Sequence, residues 1–354
     1  MPLPDDSPST LSADDSLPRI EPPTAGFILQ LFVVPAIIVV VIVMVWVMFN
    51  WLAQMGSDPH EYLVQIEKQN ANSWIAAHNL AQELRTKPAL KRNAAVARDL
   101  GRMLEKTLDA GHMSDDDIRL RVFLCRALGE FHVADGMPAL LKAATVERQP
   151  PEVDVRRSAL EALALLTSNV DEAKSQASTT AVSAALIDRD KLLATLLAAA
   201  GDGDARVREP AAYALGVAGG ERAVAGLEKL LGDTSANVRF NAATGLARQG
   251  RASASEVLVE MLDLKELQGV REEDGPQAQD FKRALIAINA LRAARQLAQM
   301  NRQADLAALE AAIEQLLAAD ISAEFAQPQF EAEIRAQAQA ALKEMRSPTP
   351  AASR

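Results

Sequence analysis

The chain has 354 residues, a formal net charge of −10 and only 4% aromatic residues. Because a nucleic-acid-binding surface needs clustered cations that neutralise phosphates, this acidic balance argues against a nucleic-acid partner. Since sheets favour β-branched and aromatic residues, the composition indicates an all-α fold rather than a sandwich or barrel.

The first 26 residues are rich in Pro, Ser and Asp and are predicted to form a disordered acidic tail. Residues 27–49, FILQLFVVPAIIVVVIVMVWVMF, then carry no charged side chain. At about 1.5 Å rise per residue a helix of this length covers roughly 35 Å, more than the hydrocarbon core of about 30 Å. The sequence therefore predicts one transmembrane helix over residues 27–49.

The alternatives to this interpretation are a buried core helix and a cleaved signal peptide. A core helix of this length would carry more polar residues, and a signal peptide would have a basic start and a shorter apolar segment. Trp46 and Trp51 lie near the end of the stretch and are predicted to anchor the helix at the membrane interface, with helix packing as the alternative.

The orientation of this helix is judged from the cations around it. Arg19 precedes it and Lys68 follows it, and further cations come after Lys68, beginning with Arg85 and Lys87. Cytoplasmic segments near a membrane span are enriched in Lys and Arg. We therefore expect a single-pass membrane protein with a cytoplasmic C-terminal domain.

A pattern V-R-x-x-A-x-x-(A/G)-L occurs at Val207–Leu215 and again at Val238–Leu246. With the arginine as position 0, the small or apolar residues at +3, +6 and +7 share one helix face. Weaker copies stand at Lys91, Lys282 and Trp74. The strong copies are centred on five arginines: Arg121, Arg156, Arg208, Arg239 and Arg335.

A second apolar helical segment precedes the copies, so the predicted unit is a helical hairpin. The five segments run over residues 137–144, 191–200, 223–231, 255–262 and 305–318. Four polar residues just before the arginines, Asp154, Asp204, Asn237 and Glu333, are predicted to cap the second helices. Gly129, Gly216 and Gly250 are predicted to end these helices.

The repeated arginine is predicted to be structural. Beside an acidic residue in the turn of its own or the adjacent hairpin, it would hold successive turns together by charge-assisted hydrogen bonds. A row of arginines that binds a ligand is the alternative.

The D-x-V-R-x-x-A-x-x-A-L-G frame resembles that of HEAT repeats, in particular the bacterial kind found in phycobilisome lyase HEAT-like proteins. The resemblance covers roughly residues 58–346 and implies an α-solenoid of about 7–8 hairpins, because one hairpin cannot bury its own apolar face. It also implies a protein-binding scaffold whose concave face is lined by the second helices.

Two stretches lengthen the spacing between copies. Residues 167–183 form a polar stretch and residues 265–279 a charged one, and both are predicted to be loops that act as spacers or binding features. Residues 347–354 are predicted to be a disordered tail.

Catalytic, cofactor-binding and metal-binding residues are not predicted. Cys125 is the only cysteine and is expected to be a buried structural thiol, which excludes an intrachain disulfide and a cysteine-based zinc site. Deoxyhypusine hydroxylase, a HEAT-repeat enzyme, binds iron through several His-Glu pairs, whereas this chain has one, His60-Glu61. The acidic residues of GDGDARVRE lack the third ligand and closing Glu of a calcium loop. Asp115, Asp116 and Asp117 indicate a helix start rather than a metal site.

The sequence thus predicts a membrane-anchored HEAT-repeat scaffold for protein–protein interaction, with an unknown protein partner, no cofactor and no catalysis. A bilin-lyase-like accessory protein or enzyme is one alternative. An obligate subunit of a larger membrane complex is the other.

Overall fold

The computed structural model describes residues 25–54, 59–148, 152–176, 187–265, 268–271 and 273–347. It divides into two compact units, Met1–Asp58 and Pro59–Arg354. The described residues form helices, short 3-10 turns and connecting loops, with no strand among them. This confirms the all-α fold class.

In the first unit, helix α1 (Ala25–Gln54) is the described element, and Pro35 lies inside it. Its segment Leu31–Phe49 has a mean hydropathy of 3.2 and is entirely unburied, which makes this helix long and apolar enough to cross a membrane. The side chain of Trp46 is exposed. Trp51 lies on the same helix, but its side chain, like residues 1–24, is outside the described residues.

The second unit contains seven helical hairpins within its described residues, and a single-turn helix, α4 (Pro88–Lys91), joins the first two. The first helices of the hairpins are α2 (Pro59–Glu67), α5 (Ala94–Ala110), α7 (Met137–Ala144), α9 (Arg189–Ala200), α11 (Glu221–Leu230), α13 (Ser255–Leu262) and α15 (Ala307–Ala318). The second helices are α3 (Ser73–Thr86), α6 (Asp115–Gly129), α8 (Val153–Gln176), α10 (Ala205–Ala218), α12 (Ala236–Arg248), α14 (Pro276–Met300) and α16 (Pro328–Met345).

These helices form two layers. Each second helix packs along the second helix of the next hairpin, which produces one continuous row from α3 to α16. The first helices form a parallel row with less extensive contacts between neighbours. This stack of hairpins is an α-solenoid, as the repeat predicts.

The core lies between the two layers and is built from the repeated positions. Ala211, Ala214 and Leu215 of α10 are at most 1% exposed, and Ala242 and Leu246 of α12 are fully buried. Because every hairpin contributes the same face, burial continues from one repeat into the next. The single stack therefore shares one core.

Gly216 and Gly245 bring α10 and α12 into close contact. A Cβ on Gly216 would lie 2.7 Å from the Cα of Gly245, which is closer than real Cβ contacts. A Cβ on Gly129 would lie 3.0 Å from the Cα of Ala162, which is tighter than most real Cβ contacts. Small residues at these positions therefore set the spacing of the second helices.

The structure confirms that Gly129 ends its helix, since it is the last residue of α6, but corrects the prediction for Gly216. Gly216 lies inside α10, which ends at Ala218 and is followed by Gly219 with a positive φ of 66°. Gly250 does follow the end of α12 and has a φ of 69°. Here a glycine that follows Ala-Leu allows two helices to pack closely. The sequence alone does not distinguish this role from that of ending a helix.

Other sequence interpretations also differ from the structure. The weak copy at Lys91 does not mark a second helix, because Ala94 begins α5, a first helix. Residues 167–176 are not a loop, because α8 continues to Gln176 with Thr167 and Val170 buried; residues 177–186 lie outside the described part. In the charged stretch 265–279, the described residues before Pro276 form turns and bends, and Pro276 begins α14.

Candidate functional site

The repeated arginines line the turns between first and second helices. Arg208 donates from Nη1 to the carbonyl oxygens of Asp202 and Gly203 in its own turn, at 2.9 and 3.1 Å. Its Nε and Nη2 atoms donate to the two carboxylate oxygens of Asp233 in the next turn, at 2.7 and 2.8 Å. One guanidinium therefore bonds two successive hairpins, in the bidentate geometry that suits arginine and carboxylate.

The same arrangement recurs on either side. Arg156 binds the carboxylate of Asp202 in the next hairpin. Arg239 donates to the carbonyl of Asp233 at 2.8 Å and to both carboxylate oxygens of Glu260. Asp202 and Asp233 thus accept from one arginine through the carboxylate and from the following arginine through the carbonyl. We call this chain of bonds the arginine ladder, formed by Arg121, Arg156, Arg208, Arg239 and their acceptors.

The first rung is buried. Arg121 and its partner Glu152 are both almost fully inaccessible, with 2.7 Å between Nη1 and Oε1. Arg148 also binds Glu152 and the carbonyl of Leu108. Because two buried charges neutralise each other here, loss of one partner would leave an uncompensated buried charge.

Arg335 differs from the other four arginines. It bonds the carbonyls of Leu317 and Ala319 at 2.8 and 3.1 Å, but its carboxylate partner is Glu331 on its own helix, at 2.8 Å. No hairpin follows α16 among the described residues, so this arginine has no further turn to bind. Its position ends the ladder.

An acidic turn residue beside each arginine is predicted from the sequence, but Asp202, Asp233, Glu152 and Glu260 are not identified there as the partners. Of the four predicted caps, only Asp204 caps a helix, α10, by accepting from the backbone of Arg206 at 2.9 Å. Asp154 and Asn237 lie inside the first turns of their helices, past the capping position. Glu333 lies well inside α16, where it accepts from Arg292 and Gln337. The signal was present as G-D-x-x-x-x-V-R, which places Asp202 and Asp233 six residues before an arginine.

The ladder affects the titration of its groups. The hydrogen bonds from Arg208 lower the pKa of Asp233 below the ordinary aspartate value, and burial opposes this effect only in part. The same bond raises the pKa of Arg208. The ion pair is therefore more stable in its charged form.

The prediction for Cys125 is confirmed, since its thiol is unpaired and fully buried. Burial raises the pKa of this thiol, and the nearby Glu152 raises it further. The described residues also hold no group of three or more His, Cys, Asp or Glu placed to bind a metal ion. His60 lies on α2, a first helix, and belongs to no such group.

The second-helix layer carries most of the exposed large hydrophobic side chains of the second unit. Among the described residues of the first-helix layer, Val64 is the one large hydrophobic residue that is exposed. Those on second helices are Ile75, Leu165, Tyr213, Phe281, Leu285 and Met300. The two layers therefore present chemically different surfaces, and we call the solvent side of α3 to α16 the second-helix face.

A groove of about 530 Å³ crosses this face between α10, α12 and α14. Tyr213 and Leu285 line it from its two sides and are 45% and 39% exposed. Arg248, Lys282 and Arg292 contribute cations, and Glu209 contributes an acid. The volume lies within the range of ligand-binding clefts, about 300–1,000 Å³.

A second hollow lies nearer the start of the same face, between α3, α6 and α8. Trp74 stacks on Phe123 with a centroid separation of 5.9 Å, and the ring of His78 meets Phe123 edge-on at 4.8 Å. Arg119 lies over Trp74 and Arg126 over Phe123, at 5.6 and 5.3 Å. These guanidinium groups cover the aromatic faces, so the rings of this cluster already have cationic partners within the chain.

Comparison with known proteins agrees with this architecture. Residues 193–273, which span α9 to α13 in the middle of the stack, match the family described as HEAT repeats. This part of the chain consists of HEAT repeats. No curated protein sequence matches the chain.

Two solved structures resemble the HEAT solenoid. An engineered protein is 20% identical, with 82% of this chain and 97% of that chain covered and a TM-score of 0.36. Human deoxyhypusine hydroxylase in complex with glycerol is 17% identical, with 81% and 96% covered and a TM-score of 0.30. At these TM-scores neither similarity bears on function.

Proposed function

We propose that this protein is a HEAT-repeat scaffold that is anchored in a membrane by α1 and binds other proteins through its second-helix face. The observation that carries the proposal is the segregation of exposed large hydrophobic side chains onto that face. Large hydrophobic side chains that are exposed mainly on one face favour an interaction site on that face. The proposal assigns no reaction and no cofactor to the chain.

Anchoring is supported by the length and hydropathy of Leu31–Phe49 and by the exposure of its apolar side chains. The apolar surface of such a helix is satisfied by lipid. Trp46 would lie at the interface, together with Trp51. The cations after Lys68 favour a cytoplasmic location for the HEAT solenoid.

Site-specific photo-crosslinking in cells tests the proposal. A photoreactive amino acid is placed at Tyr213 or Leu285 on the second-helix face, and at Glu228 on α11 as the matched first-layer control. Glu228 is exposed, like the other two. We expect protein crosslinks from Tyr213 and Leu285 and few from Glu228. Equal crosslinking from all three positions would contradict an interaction surface on the second-helix face.

Detergent extraction followed by sizing separates a recruiting scaffold from an obligate subunit. A scaffold is expected alone or with partners in less than stoichiometric amounts. A fixed stoichiometric assembly would instead support a permanent subunit of a membrane complex.

A further inference from the structure

The groove between α10, α12 and α14 is more basic than the chain around it. The whole chain has a formal net charge of −10, yet the lining contains Arg248, Lys282 and Arg292 against one acid, Glu209. The cations belong to α12 and α14, whereas Glu209 belongs to α10. One side of the groove is therefore cationic.

Two of these cations have weak carboxylate partners. The Nζ of Lys282 lies 3.6 Å from Glu273, and the Nη2 of Arg292 lies 3.3 Å from Glu333. Glu273, Glu333 and Arg292 are each at least 40% exposed at the side chain. Exposed pairs of this kind are worth about 0–1 kcal/mol, so a competing carboxylate can replace either acid at little cost.

Arg248 has no carboxylate partner within the described residues. It is half-buried at the end of α12, beside the contact between Gly216 and Gly245. Every arginine of the ladder, by contrast, binds a carboxylate. Because a partly desolvated guanidinium gains more from a carboxylate than an exposed one does, Arg248 is the strongest anion-binding group in the groove.

Apolar groups complete the lining. Tyr213 and Leu285 are exposed where they line it, and Ile286 lies beside Leu285 on α14. An apolar side chain of a ligand would remove these groups from water, at about 25 cal/mol per Å² buried. Asn289 adds an exposed amide that can donate to or accept from a peptide backbone.

We propose that this groove binds an acidic segment of a partner protein, with its carboxylates on Arg248, Lys282 and Arg292 and an apolar side chain between Tyr213 and Leu285. The inference rests on the proposed scaffold function and names the chemistry of its partner. Charge complementarity selects an acidic segment over a neutral or basic one, because a basic segment would meet three cations. The apolar anchor adds affinity at the centre of the contact.

The test begins with selection of a phage-displayed library of random dodecapeptides on the full-length protein in detergent. The enriched peptides are expected to carry net negative charge and at least one large apolar residue. Enrichment of neutral or basic peptides, or no enrichment, overturns the proposal.

A synthetic, fluorescein-labelled copy of the most enriched peptide is then measured by fluorescence anisotropy. Arg248→Glu combined with Lys282→Glu is expected to weaken binding more than about tenfold, since each replaces attraction by repulsion. Tyr213→Ala is expected to weaken it about fivefold or more through lost apolar contact. An increase in NaCl from about 0.05 to 0.3 M should also weaken binding severalfold, because salt screens exposed charges.

Arg295→Glu is the matched control, since Arg295 is an exposed arginine of α14 that does not line the groove. It is expected to change affinity less than twofold, and an effect equal to that of the groove variants overturns the proposal. Circular dichroism of each variant establishes that it is folded. If a groove variant unfolds, Tyr213→Ala and the salt dependence still decide the outcome.

If the enriched peptides are neutral but still need Tyr213 for binding, the proposal of an acidic partner is overturned. The proposal of an interaction surface on the second-helix face is then still supported. The crosslinking experiment, in contrast, tests that face without reference to charge.

Discussion

The guanidinium of Arg208 donates two parallel hydrogen bonds to the carboxylate of Asp233, at 2.7 and 2.8 Å, across the boundary between two HEAT hairpins. The carbonyl of Asp233 in turn accepts from Arg239 at 2.8 Å. Successive hairpins are therefore connected by polar bonds at their turns as well as by apolar packing between their helices. In a solenoid, whose stability depends on contacts between neighbouring repeats, such bonds add to each interface.

Arg208→Ala is predicted to lower the free energy of unfolding by about 2–3 kcal/mol. The substitution removes hydrogen bonds to two turns and leaves Asp233, whose side chain is only 8% exposed, without its cation. Urea unfolding of the full-length protein in detergent, followed by circular dichroism, measures the change. Arg206→Ala is the control, because Arg206 is 64% exposed and bonds only Asp204 in its own turn; it should cost less than about 0.5 kcal/mol. Equal losses would contradict a structural role for the ladder.

Acid is predicted to weaken the interface between these hairpins. The pKa of Asp233 is lower in the folded protein than the ordinary value of 3.8. The stabilisation is therefore fully present above that value and is lost as pH falls from about 4 through the lowered folded pKa. Thermal melting between pH 7 and pH 2.5 measures the loss. Asp233→Asn should be less stable at pH 7 and should lose less of its remaining stability in this range. An identical acid response in the variant would contradict the assignment.

Gly216→Ala is predicted to destabilise the solenoid by about 1–3 kcal/mol. Its new Cβ would lie 2.7 Å from the Cα of Gly245, so the two helices would have to separate. Gly203→Ala is the control, since no atom lies within 4 Å of the corresponding Cβ. The control should change stability by less than about 1 kcal/mol. Thermal melting compares the two variants, and a neutral Gly216→Ala would show that the contact tolerates expansion.

Val40→Arg is predicted to reduce membrane insertion of α1. Val40 lies near the middle of Leu31–Phe49, where inserting an arginine costs about 2.5–3.5 kcal/mol. Alkaline carbonate extraction of membranes measures the retained fraction. Val40→Leu keeps the helix apolar and should stay in the membrane fraction. If neither the natural chain nor Val40→Leu stays in the membrane fraction, the proposal that α1 anchors the protein is contradicted.

The repeat was readable from the sequence because local geometry determines it. Residues at +3, +6 and +7 from each arginine share a helix face, so their spacing alone predicts burial. The residues predicted as first helices, 137–144 and 255–262, match α7 and α13 in both bounds. The length of the apolar stretch likewise identifies α1 as a candidate span without any tertiary information.

Glycine and acidic residues were harder to interpret, because their roles depend on the neighbouring hairpin. Gly216 follows Ala-Leu and suggests a helix end, but α12 approaches it closely enough to exclude a side chain. Asp233 and Asp204 both lie in turns between helices. Asp233 binds Arg208 because the adjacent helix α10 brings this arginine next to its carboxylate. Pairing between repeats is a property of the stack and is absent from any one segment.

The sequence by itself determined the all-α class, the hairpin repeat, the apolar α1 and the positions of the arginines, because each depends on periodicity or composition within one segment. Only the tertiary structure decided the acceptors of the arginine ladder, the contact between Gly216 and Gly245, and the groove between α10, α12 and α14. Those features join residues from different hairpins. The distances between these residues are set by how closely the helices pack. Small side chains permit close packing, but the sequence does not show which residues come together.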